Sequence, residues 1–243
     1  MTERAQVILV WWALLFLVVF AVAWCLLLKM MPPPPATLTA SEIAAFYANN
    51  GLSIRLGAVI ASWTSAFMVP LSVVVAVQMS RLEKGVPVWS ITQFAGGILM
   101  SIFLVLPPLF WGIAAFTPSR PPDVTALMHE TSLLTLVTTD QFFIFQMVPI
   151  AYVSLTHKPR PDSAFPRWLG YFTIWAALMF EVGAVAFIPR TGPFSWNGLF
   201  VFWCPLVIFF VWIAVVSTCL LRAIKLQRRP GSLEASPDAV TVG

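Results

Sequence analysis

Three carboxylates lie inside or at the mouth of long apolar runs: Glu130, Asp140 and Glu181. A charge in hydrocarbon is costly, so an ionisable residue at membrane depth marks a ligand, ion or proton site by default. Such a group can anchor a polar atom of a bound molecule or act as a general acid or base. At ~1.5 Å per residue, Asp140 lies ~14 Å and Glu181 ~10 Å below the outer ends of their predicted spans. Glu130 stands at the outer mouth. Gln141 follows Glu130 by about three helical turns, which predicts a shared face, with Asp140 rotated ~80–100° away from it. No lysine or arginine reaches the depth of Asp140. The acid therefore either carries a proton or faces a hydrated space. Thr135, Thr138, Thr139, Gln141 and Gln146 on the same run favour hydration or bonds between helices. The plain alternative is that Asp140 and Glu181 bond across helices and only hold a bundle together.

Around these acids the sequence offers an outer polar gate, in which Arg120 or Arg190 pairs with Glu130 or Glu181. The bland version is an interfacial ion pair worth little energy. Trp111 is one of several tryptophans deep in apolar runs and could line a site for a flat apolar molecule, although packing is the commoner role. Trp11, Trp12, Trp89, Trp168 and Trp196 read as interfacial belt residues. His129, Glu130 and Glu181 are a conceivable metal trio, but a single His without H-x-x-x-H spacing carries little weight, and no metal or cofactor is assigned. Gln93-Phe94-Ala95-Gly96-Gly97 follows no strand and is not a phosphate loop; its glycines suit close helix packing. A retinal-type lysine, a bis-histidine haem and an arginine-studded voltage sensor are all disfavoured by where Lys, His and Arg fall.

The elements that must position these groups follow from composition. Of 243 residues, 59% are hydrophobic and only 10% charged, against about 25% charged in a soluble domain. With a mean hydropathy of +0.87, this excludes an ordinary soluble domain, a disordered chain, a coiled coil and a disulfide scaffold. It leaves an all-α polytopic membrane protein. Six apolar runs reach spanning length, at about 7–28, 56–79, 88–116, 131–155, 168–188 and 197–221. They fill a single transmembrane domain over residues 1–226, followed by a polar tail, 227–243, expected to be disordered. The first run is longer than a signal-peptide core and continues past Ala21-Val22-Ala23, so it is read as a retained span. Cys25, Cys204 and Cys219 show no pairing or zinc spacing.

Orientation follows from the basic residues. Arg4, Arg81, Lys84, Lys158, Arg160, Arg167, Arg222, Lys225, Arg228 and Arg229 fall on one side; Lys29, Arg55, Arg120 and Arg190 fall on the other. The positive-inside rule puts both termini in the cytoplasm, and the expected location is the bacterial cytoplasmic membrane. The net charge of +4 is explained by these loops without a nucleic-acid partner. Outside, Pro32 to Pro35 precede Thr39-x-x-Glu42, a capping box. Ile43, Phe46 and Tyr47 then predict a short amphipathic helix, about 40–49, on the outer surface, ended by Asn50-Gly51.

Prolines 70, 107, 108, 149 and 205 should bend four of the spans. Kinks, hydroxyls and carboxylates gather toward the outer half. This predicts a pocket open outward, walled by spans two to six, with Asp140, Glu181, Glu130, Gln141 and Trp111 as binding residues and Arg120 and Arg190 as the gate. The expected partners are the lipid bilayer and a small apolar ligand. Two other readings stay open: an integral-membrane enzyme using Asp140 or Glu181 as general acid or base, and an accessory subunit of a membrane complex. Oligomeric state is not readable.

Overall fold

A computed structural model describes residues 1–158 and 160–227. The expected disordered tail lies outside the described residues after Gln227. Among the described residues the chain is helical, without strands, and six helical stretches are long and apolar enough to cross a membrane: Glu3–Leu28, Ala40–Ser80, Val88–Phe116, Pro122–Thr156, Arg167–Phe187 and Leu199–Gln227. Their flanks expose large apolar side chains, Trp63 at 72% and Leu26 at 61% among them, as contact with a lipid bilayer demands.

Most spans are interrupted. Span one is α1 (Glu3–Val22) followed by a π-helical turn, Ala23–Leu28. Span two is α2 (Ala40–Thr64) and α3 (Met68–Ser80), separated by a 3-10 turn. Span three is α4 (Val88–Met100) and α5 (Ile102–Phe116). Span four is α6 (Pro122–Thr138), a 3-10 segment Asp140–Phe143, and α7 (Ile144–Thr156). Span five is α8 (Arg167–Phe180) running into a 3-10 segment, Glu181–Phe187. Span six is a π-helical turn, Leu199–Trp203, then α9 (Cys204–Gln227).

Prolines account for the breaks in spans two and six, whereas Pro107 and Pro108 lie inside an uninterrupted α5 and spans one and five break without an interior proline. A proline has no N–H for the carbonyl four residues earlier, and its ring presses on that carbonyl. Four residues before Pro70 is Ala66, the residue whose φ/ψ of −83°/23° interrupts span two. Four residues before Pro149 is Phe145. A Cβ on Gly96 would collide with the Phe145 carbonyl group, and one on Gly97 with Ser72 and Gln146. The glycine pair thus lets span three pack directly on the bent backbone of span four, where Gln146 Nε2 donates to Ser72 Oγ at 2.9 Å.

One element differs from expectation. The external helix does not end at Asn50-Gly51; it runs unbroken into span two. The capping box at its start forms as read: Glu42 N–H donates to Thr39 Oγ1 and Thr39 N–H to Glu42 Oε2. The expected stop fails for two reasons. Asn50 Nδ2 donates to Phe46 O within the same helix, so the side chain serves the helix rather than a turn. Buried Ile43, Tyr47, Ile54, Gly57 and Ala61 also form one stripe through the site, and a continuous stripe at this spacing buries best as one helix. Span four likewise begins at Pro122 rather than about residue 131.

Gln6 near the start of the chain and Gln227, the last described residue, meet at one end of the bundle. Gln78 Nε2 donates to Gln6 Oε1 at 2.6 Å, and Gln227 Nε2 donates to Gln78 Oε1 and to Asp162 O, both at 3.0 Å. Three spans and the loop 157–166 are clasped there by amides. At the opposite end the Tyr47 hydroxyl and His129 Nδ1 are hydrogen-bonded at 2.9 Å. Trp196 packs edge-on against His129, and its Nε1–H donates to Pro34 O at 2.8 Å. Trp196 is therefore buried in this cap, not a belt residue, because its indole N–H finds a partner under the loops. Trp11, Trp12 and Trp168 are exposed as a belt requires.

Candidate functional site

Asp140 opens the 3-10 segment of span four and is only 4% exposed. Its Oδ1 is buried without a hydrogen-bond partner among the described residues. An unpaired buried polar atom costs about 1–3 kcal/mol, so its presence in an otherwise apolar layer needs a reason. Span five comes against it at Gly183: a Cβ there would collide with Val137 O and with Asp140 Oδ1. Only glycine lets the two backbones approach this closely around the carboxyl group.

On its other side Asp140 borders a cavity of about 40 Å³, room for one or a few water-sized groups. Phe20 and Trp24 of span one, Phe103 of α5, Phe180 of α8, and Phe202 and Phe209 of span six form much of its wall, and Asp140 is its one ionisable lining residue. Phe143, fully buried, organises the rings from behind: it stacks on Phe180 with centroids 4.4 Å apart and meets Phe103 and Phe209 at 5.7 and 5.5 Å. Toward the outer end Trp24 meets Phe202 at 6.2 Å and Trp111 at 6.3 Å; beyond them Leu28, Met30 and His129 are fully buried. On the flank, α1 and α9 touch sparsely, and the lining residues Leu206 and Phe210 are partly exposed.

The remaining predicted residues fall in different places. Glu181 begins the 3-10 segment of span five, within electrostatic reach of Asp140, with its side chain exposed on the flank of the bundle. Asp140 follows Glu130 by about ten residues, or ~15 Å of helix. That rise puts Asp140 well inward of Glu130 along span four. Glu130 pairs with Arg190 at 3.8 Å, both partly or largely exposed. Arg120 turns away from the acids and donates from Nη1 to Ile113 O at 2.9 Å, capping α5. Gln141 is half-buried, its Nε2 unpartnered, and does not line the cavity. The shared face with Glu130 was drawn for a continuous α-helix, and the helix leaves that geometry after Thr138. Trp111 is buried behind Trp24, its Nε1 also unpartnered, and does not line the cavity. Among the described residues no three His, Cys, Asp or Glu side chains converge on a metal position.

Sequence reasoning passed over the amide clasp and an open, polar hollow of about 540 Å³ beside it, bordered by Gln6, Arg81, Arg160 and Gln227. It also passed over the Tyr47–His129 bond and over Gln93, which is fully buried with both amide atoms unpartnered. Amides inside apolar runs were the available signal.

Family models, curated proteins and solved structures were compared with the chain, and none matches it.

Proposed function

We propose that this protein binds a small, largely apolar molecule within the membrane, with Asp140 as the polar anchor. The observation that carries the reading is the cavity at Asp140: an apolar, ring-lined space that meets one buried carboxyl group on the side away from Gly183. Small-ligand sites are apolar with a few placed polar groups, and at about 40 Å³ this space takes the polar head of a ligand rather than the whole of it. Access is proposed from the bilayer, between spans one and six, where Leu206 and Phe210 are partly exposed. An outward route would require the Tyr47–His129–Trp196 cap to move. Glu181 adds a second negative charge beside the anchor, and the Glu130–Arg190 pair marks the outer rim. The location proposed is a bacterial cytoplasmic membrane with both termini inside, on the strength of the Lys/Arg asymmetry.

The test is thermal unfolding in lipid nanodiscs against a panel of small apolar compounds. A ligand that binds only the folded state raises the transition temperature. Binders should stabilise wild type and fail to stabilise Leu206→Trp, which fills the flank of the cavity. Equal shifts in both proteins would contradict the reading.

A second reading, an accessory subunit of a membrane complex, is favoured by one observation: Glu181 is exposed on an apolar span, where a partner helix could cover it. A complex that survives gentle extraction and is lost in Glu181→Leu would support it.

A further inference from the structure

We propose that the molecule held at Asp140 is a lipophilic organic cation: a protonated primary amine with an apolar remainder, admitted from the bilayer between spans one and six. This rests on the reading of the Asp140 cavity as a ligand site.

Charge is the first argument. Asp140 lies in a layer with no cation: no lysine or arginine lines its cavity, and the Arg160–Asp162 and Arg190–Glu130 pairs lie at the two ends of the bundle. The segment Glu181–Phe187 packs on Asp140 through Gly183, so a second acid lies on the flank. Two neighbouring acids without a basic partner repel an anion and oppose each other's ionisation, and a cation in the cavity favours the ionised carboxylate. A neutral ligand offers no such compensation.

The wall supplies the second argument. Phe20, Trp24, Phe103, Phe180, Phe202 and Phe209 line the cavity. Ring faces attract cations, more so when the cation is desolvated. A purely apolar ligand would need neither the acid nor so high a share of rings.

Size and access supply the third. About 40 Å³ accepts a compact head and no more. The apolar remainder would leave along Leu206 and Phe210 toward lipid, which suits an amphiphilic amine better than a water-soluble one.

The test uses two isosteric probes on the full chain in nanodiscs: benzylammonium and ethylbenzene, which differ in nitrogen against carbon. Equilibrium dialysis reads retention of each probe over empty nanodiscs. The expected result is retention of the cation well above its neutral isostere, a loss of at least tenfold in cation affinity in Asp140→Asn, and a smaller loss of roughly threefold in Glu181→Gln, whose charge acts from further off. A cooperative unfolding transition of ligand-free Asp140→Asn, like that of wild type, shows that the variant is folded. Equal retention of both probes, unchanged in Asp140→Asn, overturns the cation assignment and leaves the apolar-ligand reading standing. Retention of neither probe overturns both.

Discussion

Gly183 of span five lies so close to Asp140 of span four that a single methyl group on it would collide with the carboxyl Oδ1 and with the carbonyl of Val137. The approach fixes the carboxyl group from one side and leaves the cavity on the other. Gly183→Ala should therefore lower stability by about 1–3 kcal/mol, the cost of overpacking. Gly51→Ala is the control: its Cβ would meet only Ala115 O at an ordinary 3.7 Å, and a helical Gly→Ala change there should be neutral or stabilising by up to about 1 kcal/mol. Thermal unfolding in nanodiscs compares the two. Equal effects would show that span five is not packed on Asp140 as described.

Tyr47→Phe removes the hydroxyl bonded to His129 Nδ1 and leaves a fully buried imidazole whose Nε2 is already unpartnered. The expected cost is about 1–3 kcal/mol, with faster hydrogen exchange in the outer ends of α2 and α6. Unchanged exchange there would mean that the cap is held by packing alone.

At the other end, Gln78→Leu keeps the volume and deletes the amide shared by Gln6 and Gln227. Leaving those two groups short of a partner should cost about 1–3 kcal/mol. It should also raise protease cleavage near Gln227, since the end of α9 loses its tie. A cleavage pattern like that of wild type would remove the clasp as a structural device.

The Glu130–Arg190 pair, at 3.8 Å with the Arg190 side chain 77% exposed, should contribute little. Glu130→Gln and Arg190→Gln are each expected to change stability by less than about 1 kcal/mol. A larger loss, recovered when the charges are swapped, would make the pair a true outer gate.

What the sequence carried and what it did not have separate physical causes. Lipid demands long apolar helices, so span number and most boundaries stand in the composition, and Thr39-x-x-Glu42 announced the start of α2 because a cap is a local interaction. Asn50-Gly51 misled because local turn preference yields to a buried stripe that continues beyond it. The prolines foretold kinks, and the break at Ala66 obeys the four-residue rule. Asp140 and Glu181 were legible as costly charges in hydrocarbon. Their surroundings were not: the close approach of Gly183, the rings drawn from four spans and the amides meeting at Gln78 depend on which helices are neighbours, and periodicity along one chain is silent on that. Gln141 was assigned by extending α-helical rotation through a segment that is 3-10 in the structure.

The central claim is that Asp140 is held for a ligand and not for the fold. Its most direct test is the unfolding temperature of ligand-free protein in nanodiscs, wild type against Asp140→Asn, with Glu181→Gln beside it. Both substitutions keep shape and remove charge. Because Asp140 Oδ1 has no partner to lose, stability should stay level or rise, as it does when a group kept for function costs folding energy. A fall of about 3–5 kcal/mol in Asp140→Asn, the size expected when a buried pair is broken, would make Asp140 a structural strut and contradict the account.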